Sequence, residues 1–233
     1  MQRPHYGIVG RGRVATHMAR YLQLESQDYC TWHRDDSAAP EEALGTATTL
    51  LLAISDDALE PFLQANPELS DKNLVHFSGC KTLRGVTGLH PLTTFGPDPY
   101  GLDTYRAIPF VAEEGSAGFS DIFPALENPS WSIPADQKPL YHALCVMAGN
   151  FPTLLWAKTI ADFENRLGLP REILGPYLRQ TLNNTLGSGS TALTGPLARG
   201  DRETARRNLA ALDDERFADI YRAFARGHGM QEI

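Results

Sequence analysis

The chain lacks several features that would have narrowed its class at once. It has only three cysteines, Cys30, Cys80 and Cys145, an odd and scattered set. They form neither a disulfide framework nor a metal-ligand spacing, so no metal site is expected and a reducing, cytoplasmic setting is the simple reading. Long hydrophobic runs are missing: the run around Leu50-Leu51-Leu52 falls far short of the roughly 20 residues that span a bilayer. The N-terminus has no apolar core of a secretory signal. Excess positive charge is missing too. Lys and Arg number 21 against 28 Asp and Glu, a formal net charge of −7, which argues against nucleic acid or an anionic membrane as partner. Internal repeats and low-complexity tracts are absent.

What is present is a folded chain of 233 residues, 42% hydrophobic and 21% charged, enough for one large domain or two modest ones. Its most informative stretch runs from Tyr6 to Leu22. Apolar residues lead into Gly10-Arg11-Gly12-Arg13-Val14-Ala15. Val14, Met18, Tyr21 and Leu22 then fall on one helical face. Strand, glycine turn and helix together open a dinucleotide-binding unit, G-x-G-x-x-A. Gly10 permits the tight turn, Gly12 lets the backbone approach a pyrophosphate, and Ala15 lets helix and strand pack closely. The free amides of the helix start at Arg13 and Val14, with the helix dipole, suit phosphate charge, and Arg11 adds a local cation. Without a ligand, the same residues would be a plain glycine turn.

A second strand, Tyr29 to Trp32, ends in His33-Arg34-Asp35-Asp36. In a dinucleotide fold this end meets the adenosine ribose, where an acid favours a free 2′-hydroxyl and arginine a 2′-phosphate. The expected cofactor is NADP, with Arg34 on the phosphate and Trp32 or His33 near the adenine. Asp35 keeps NAD as the alternative. The run Thr48 to Ile54 suits a parallel strand buried on both faces. It ends in Ser55-Asp56-Asp57, expected to cap the next helix and, at Ser55 and Asp56, to lie over the cofactor.

Further strands are expected at Asn73–Phe77 and Val86–Leu89. Their ends bring Ser78, Lys81 and His90 to one rim, where a hydride-transfer reaction needs a proton donor. Histidine has a suitable intrinsic pKa. Against this stand a turn hydroxyl for Ser78, a structural role for His90 before Pro91, and, for Lys81, the favoured reading of a solvated surface lysine. The last strands are expected at Ile108–Val111 and Trp131–Ile133, with a helix over Phe119–Leu126 between them. Strand signals then stop amid Pro129, Pro134 and Pro139, which places a boundary between a dinucleotide-binding domain (1–135) and a helical domain for substrate and dimerisation (136–233). In the latter, Leu140 to Leu155 keep one face apolar. Pro152 should free the Ala148 carbonyl next to Asn150, which is then a ligand contact or an internal hydrogen bond. A helix is expected from Arg171 to Leu186, followed by a flexible Gly187–Ser190. Residues 194–201 read as a loop, and Asp201 as the cap of a helix over 202–212. This many apolar helical faces suggest a homodimer through the helical domain.

The stretches GIVGRGRVA, LLLAISDDAL, HFSGCKTL, GLHPLTTF, HALCVMAGNF and ALTGPLARGD resemble, in order, a bacterial family of Rossmann-like proteins whose second part is the domain of unknown function 2520. That family sits beside the 6-phosphogluconate and β-hydroxyacid dehydrogenases, prephenate dehydrogenase, ketopantoate reductase and pyrroline-5-carboxylate reductase. The resemblance implies an α/β fold: an N-terminal, mostly parallel sheet with helices on both faces, followed by an all-α domain. It also implies a nicotinamide oxidoreductase with its active site between the domains; the expected substrate is small and polar, a 2-oxo acid, hydroxy acid or related compound. Ser78 and His90 look like the serine and histidine-proline segments of prephenate dehydrogenases, and Asn150 like the second-domain asparagine of the reductases. The lysine one helical turn earlier in those relatives is Val146 here. The competing expectation is a non-catalytic sensor or interaction protein that binds NADP(H).

Overall fold

The computed structural model describes residues 5–231 and 233. By its contacts the chain forms two compact units, Met1–Leu154 and Leu155–Ile233. The first is built on a seven-stranded sheet. Its strands are β1 (Tyr6–Val9), β2 (Tyr29–Trp32), β3 (Thr49–Leu52), β4 (Asn73–His76), β5 (Thr87–Pro91), β6 (Phe110–Glu113) and β7 (Ser130–Ile133), in spatial order β2-β1-β3-β4-β5-β6-β7. Every pairing is parallel except β5 with β6.

The apolar run of β3 shows why the strands need no alternation. Leu50 and Leu52 join one hydrophobic cluster and Leu51 the other, so successive side chains enter cores on opposite faces. One face is covered by α1 (Arg13–Leu24), through Ala15, Met18, Tyr21 and Leu22. Tyr105 of α4 (Leu102–Arg106) and Phe119 and Ile122 of α5 (Phe119–Ile122) join them. The other face takes Leu44, just past α2 (Pro40–Ala43), and Leu59 of α3 (Asp56–Ala65). The expected helix over Phe119–Leu126 stops at Ile122, because Phe123 leaves helical geometry and Pro124 follows. His17, buried on α1, bonds the Gly96 carbonyl through Nε2 at 3.0 Å and Tyr105 Oη through Nδ1 at 2.9 Å. These bonds fasten the loop after β5.

After β7, α6 (Lys138–Cys145) is followed by a π-helical turn, Val146–Asn150, and by α7 (Phe151–Asn165). The kink expected from Pro152 thus takes the form of a widened turn, which accommodates the missing amide without breaking the helix. The division between units falls inside α7, so α6 belongs by its contacts with the sheet. Its only buried side chain is Lys138. The apolar face read from the sequence is exposed: Leu140, Leu144, Met147, Phe151 and Leu154.

The second unit continues with α8 (Leu174–Ser188), α9 (Gly195–Arg199), α10 (Arg202–Ala210) and α11 (Glu215–Gly227). Helix α8 carries through Gly187, where flexibility was expected, and breaks only at Gly189, at φ +56°. The expected loop at 194–201 contains α9, closed by Gly200 in the left-handed region. Asp201 caps α10, accepting from the Thr204 amide at 3.0 Å, as its position before the helix suggested. No helix among the described residues is long and apolar enough to cross a membrane.

Candidate functional site

In an open parallel sheet, ligands bind outside the carboxyl ends of the strands. At the end of β1, Gly10 sits at φ +119°, and a Cβ there would lie 2.4 Å from the Ala53 carbonyl oxygen; only glycine fits. A Cβ on Gly12 would meet nothing within 4 Å, so open space faces that backbone. The first helical bond of α1 runs from Thr16 N–H to the Gly12 carbonyl. The amides of Arg13, Val14 and Ala15 therefore precede it. No side chain caps them and no acid stands in the first turn, which leaves the positive end of the helix open to an anion.

Beside this turn lies a hollow of about 340 Å³, lined by residues that include Gly10, Arg11, Gly12, Trp32, Arg34 and Ser55, with His33 also on its wall. Arg13 and Val14 do not line it; their contribution is the backbone at the helix start. Arg34 is exposed and makes no ion pair among the described residues. Asp35 is engaged: Arg11 Nη2 lies 2.9 Å and His33 Nδ1 3.2 Å from its Oδ2. Trp32 donates its indole N–H to the Ala38 carbonyl at 3.0 Å, which fixes the ring on the wall. These features fit a dinucleotide, with a cation at the ribose end.

The end of β4 carries a second cluster. Ser78 Oγ donates to Asp56 Oδ2 at 2.8 Å and accepts the amides of Cys80 at 3.3 Å and Lys81 at 3.0 Å. One donor and two lone pairs are all a hydroxyl has, so Ser78 fastens its loop to α3. Asp56 was expected over the cofactor as a cap. Its carboxylate instead faces the Ser78 loop, accepting from Cys80 Sγ as well at 3.2 Å, and it does not line the hollow. Ser55 is the helix N-cap residue, with no side-chain capping bond. Its neighbour therefore joins the two halves of the edge: Ser55 faces the hollow while Asp56, one residue on, holds Ser78.

His90 lies within β5 rather than beyond it. The β4–β5 register pairs His76, the last residue of β4, with Gly88; Ser78 follows two residues past that strand end, and His90 lies two residues beyond Gly88 on β5. The Nδ1 of His90 lies 2.7 Å from Tyr141 Oη, and His142 meets its ring edge-on at 6.1 Å. Gly79 completes the packing: a Cβ there would lie 2.5 Å from His142 Cδ2 and 3.2 Å from His90 Cδ2. Burial, then the charges of His142 and Lys138, pull the His90 pKa from 6.5 down to about 4, against a weaker opposing effect of Asp56. At neutral pH it is an uncharged imidazole, not the cationic acid its ordinary pKa suggests.

Below His90 is a buried polar group that the sequence did not reveal. Lys138 Nζ and Glu113 Oε1 pair at 2.6 Å, their side chains 5% and 10% exposed. A Cβ on Gly88 would lie 2.5 Å from that oxygen and 2.6 Å from that nitrogen, and 3.2 Å from His76 Cε1. Fully buried His76 accepts the Ser78 amide at Nδ1 (3.2 Å), and its Nε2 has no partner. Burial, then Lys138, lower its pKa to about 4, with Glu113 and Asp56 opposing. Asn150 is exposed on the π turn and makes no side-chain hydrogen bond among the described residues. Lys81 is half-buried; its amide, not its ammonium, holds Ser78. The missed residues are Tyr141, Lys138, Glu113 and His76. Only His76, a histidine inside an apolar strand, left a trace in the sequence.

Fold and edge together define a Rossmann-like α/β protein: a mostly parallel sheet with helices on both faces, followed by an all-α C-terminal region. Within that class, the chain belongs to the family of the Domain of unknown function (DUF2520), whose model matches residues 110–227. A comparison with curated proteins gave no match. Among solved structures, a protein of Bacteroides fragilis provisionally described as an NADP oxidoreductase is similar at 20% identity, with 99% of each chain covered and a TM-score of 0.81. Pyrroline carboxylate reductase of Plasmodium falciparum with NADP bound is similar at 13% identity, with 97% of this chain and 100% of that one covered and a TM-score of 0.61. An imine reductase of Aspergillus terreus is similar at 14% identity, covering 100% and 98%, with a TM-score of 0.56. At such identities the likeness is one of fold.

Proposed function

We propose that this chain is an NADP(H)-dependent oxidoreductase acting on a small polar substrate, a 2-oxo acid, hydroxy acid or related compound. One observation carries the reading: the uncapped start of α1 and the Ser78–His90 edge are joined through the adjacent residues Ser55 and Asp56. A nucleotide on the glycine turn would thus lie beside a cluster of polar side chains. The names of the similar solved structures, which speak of NADP and reductases, support it. Gly10, Gly12 and the amides of Arg13 and Val14 would hold the pyrophosphate, and Arg34 the 2′-phosphate, with Trp32 and His33 at the adenine end. Asp35, held by Arg11 and His33, is poorly placed to select the free 2′-hydroxyl of NAD.

The cofactor supplies the hydride when bound. The protein's task is then to meet the charge that appears on the substrate oxygen. His90 does this with a ring N–H, Ser78 holds the loop beside it, and Asn150 offers a side-chain amide to orient the substrate. The first test is thermal stability with NADPH and NADH: a nucleotide at about 100 times its dissociation constant adds about 2.7 kcal/mol. His90→Gln should then lower turnover of a substrate found by NADPH-oxidation screening and leave NADPH affinity unchanged. Absence of stabilisation by either nucleotide refutes the reading. NADPH binding without turnover of any keto acid or imine would favour a sensor instead, a reading supported by Val146 in the lysine's place and by the spent hydroxyl of Ser78.

The same proposal includes a homodimer. Among the described residues of the second unit, the hydrophobic cluster is only Ala205, Ala225 and Met230, with Leu197, Tyr221 and Ile233 against it. Leu167, Ile173, Tyr177, Leu182, Leu186 and Phe224 stay 47–77% exposed. Burial of each would contribute about 1.5–3 kcal/mol, and this much apolar surface suits an obligate homodimer interface. Light scattering should give twice the chain mass; a monodisperse monomer overturns the dimer.

A further inference from the structure

We propose that Tyr141 is a positioning residue that fixes His90 in a single tautomer, its proton on Nε2, so that His90 presents a neutral N–H donor to the site. The contact is short, Tyr141 Oη to His90 Nδ1 at 2.7 Å, and the rings meet edge-on at 84°, so the phenol lies at the ring nitrogen and not over its face. Two assignments of the shared proton are conceivable, and acidity decides between them. A phenol is a far better donor than a neutral imidazole N–H, and an imidazole nitrogen is a far better acceptor than a phenol oxygen. The phenol therefore donates to Nδ1, and the one proton of the neutral ring resides on Nε2.

The surroundings keep both groups in these forms. Burial, then a side-chain hydrogen bond with Cys145, raise the Tyr141 pKa above its ordinary value, so the hydroxyl keeps its proton; a thiol sulfur is a weak acceptor beside an imidazole nitrogen, so that proton goes to His90. Charged and titratable groups facing His90 are His142 and Lys138 on α6 and Asp56 on α3. Lys138, the cation among them, opposes protonation of the imidazole. His90 Nε2 makes no hydrogen bond to the described protein, and it is not among the buried unpartnered atoms. Its N–H is free for a substrate. His142 does not do the same: it meets the ring edge-on at 6.1 Å between centroids and makes no hydrogen bond to His90 among the described residues.

For the substrate, and resting on the oxidoreductase reading, the consequence is selective. A neutral N–H donor suits a reacting atom that accepts a hydrogen bond, a carbonyl or hydroxyl oxygen. It offers no lone pair to the N–H of a protonated imine.

The tautomer can be tested without cofactor or substrate, by nitrogen-15 NMR of the histidine side chains in the intact chain. At pH 7 the wild-type His90 should show a protonated Nε2 and a bare Nδ1. His76, whose Nδ1 accepts the Ser78 amide, serves as an internal control with the same pattern. In Tyr141→Phe, which keeps the ring packing, His90 should become a mixture of tautomers, and its pKa should rise by roughly one pH unit for the lost hydrogen bond. His76 should not change. A wild-type His90 protonated on Nδ1, or one unaffected by Tyr141→Phe, overturns the proposal. The wild-type spectrum decides even if the variant folds poorly. Failure of NADPH to bind would remove the oxidoreductase reading and leave this result standing. In an NADPH-coupled screen, turnover of cyclic imines in preference to keto acids would overturn the selectivity.

Discussion

His76 and His90 make the first unit sensitive to acid in a defined window. Each has a pKa lowered from 6.5 to about 4 in the folded chain, so between those values the unfolded state binds more protons. Stability then rises with pH: the contribution is fully present above about pH 6.5 and is lost as pH falls towards 4. A fall from 6.5 to about 4 corresponds to about 3 kcal/mol per histidine, as an upper bound, at about 1.4 kcal/mol per pH unit. His76 should supply most of it, because it is fully buried, whereas His90 is partly exposed and partly screened. Asp162, Glu164, Asp201 and Asp214 have pKa values lowered from 3.8 or 4.5 by neighbouring partners, so their effects come at lower pH. Urea unfolding of the first unit, measured from pH 4.5 to 8, should show stability falling steeply below pH 6.5. His76→Asn, which can still accept the Ser78 amide but does not titrate there, should lose roughly half or more of that slope. A flat stability between pH 7 and 5, or an undiminished slope in His76→Asn, would refute the assignment of buried neutral histidines.

Other substitutions probe the remaining parts of the edge. Arg34→Ala should weaken NADPH roughly 10- to 100-fold, the loss of one charge-assisted contact of about 1.5–3 kcal/mol, and leave NADH nearly unchanged, by calorimetry. Lys138→Ala leaves the Glu113 charge buried and unpaired, so chemical denaturation should show a loss of about 3–5 kcal/mol. Gly10→Ala forces a Cβ to 2.4 Å from the Ala53 carbonyl at a backbone φ of +119°; the melting temperature should fall and stabilisation by NADPH should vanish.

The parts of the fold legible in the sequence were those written in local pattern. The glycine turn, the apolar run of β3 and the Asp201 cap depend on neighbours a few residues away, and they occur where periodicity and capping chemistry put them. Ser78 and Asp56 stand out in the sequence, but the bond between them does not. Whether a hydroxyl is free or spent depends on an acceptor 22 residues away, and no local pattern encodes that. Tyr141 and Lys138 were hidden for a related reason. In an amphipathic helix the eye follows the leucines, yet α6 buries its lysine against the sheet and exposes Leu140 and Leu144. The apolar stripe there lies exposed, and the side chains of α6 that reach the sheet are polar.

Strand register explains how that polar face is held. His76 pairs with Gly88, and Leu89 with Ala112, which sets Glu113 level with Gly88. The three lie in one row across β4, β5 and β6, with glycine in the middle. Because the central residue has no side chain, His76 and Glu113 can share the space it leaves, and Lys138 enters from α6. Two residues on come Ser78, just past the end of β4, and His90, on the same face of β5 as Gly88, a rise of about 6.6 Å along a strand. One turn further along α6 come Tyr141 and His142, a rise of about 5 Å. The repeats are close enough for successive turns of the helix to meet successive rows of the sheet. The buried ion pair at the first row and the phenol at His90 are thus carried by successive turns of one helix. An inward-pointing lysine costs desolvation that a leucine would not, but unlike a leucine it has one partner on the sheet, the Glu113 carboxylate at 2.6 Å, and a helix shifted by one turn would leave both charges buried and unpaired.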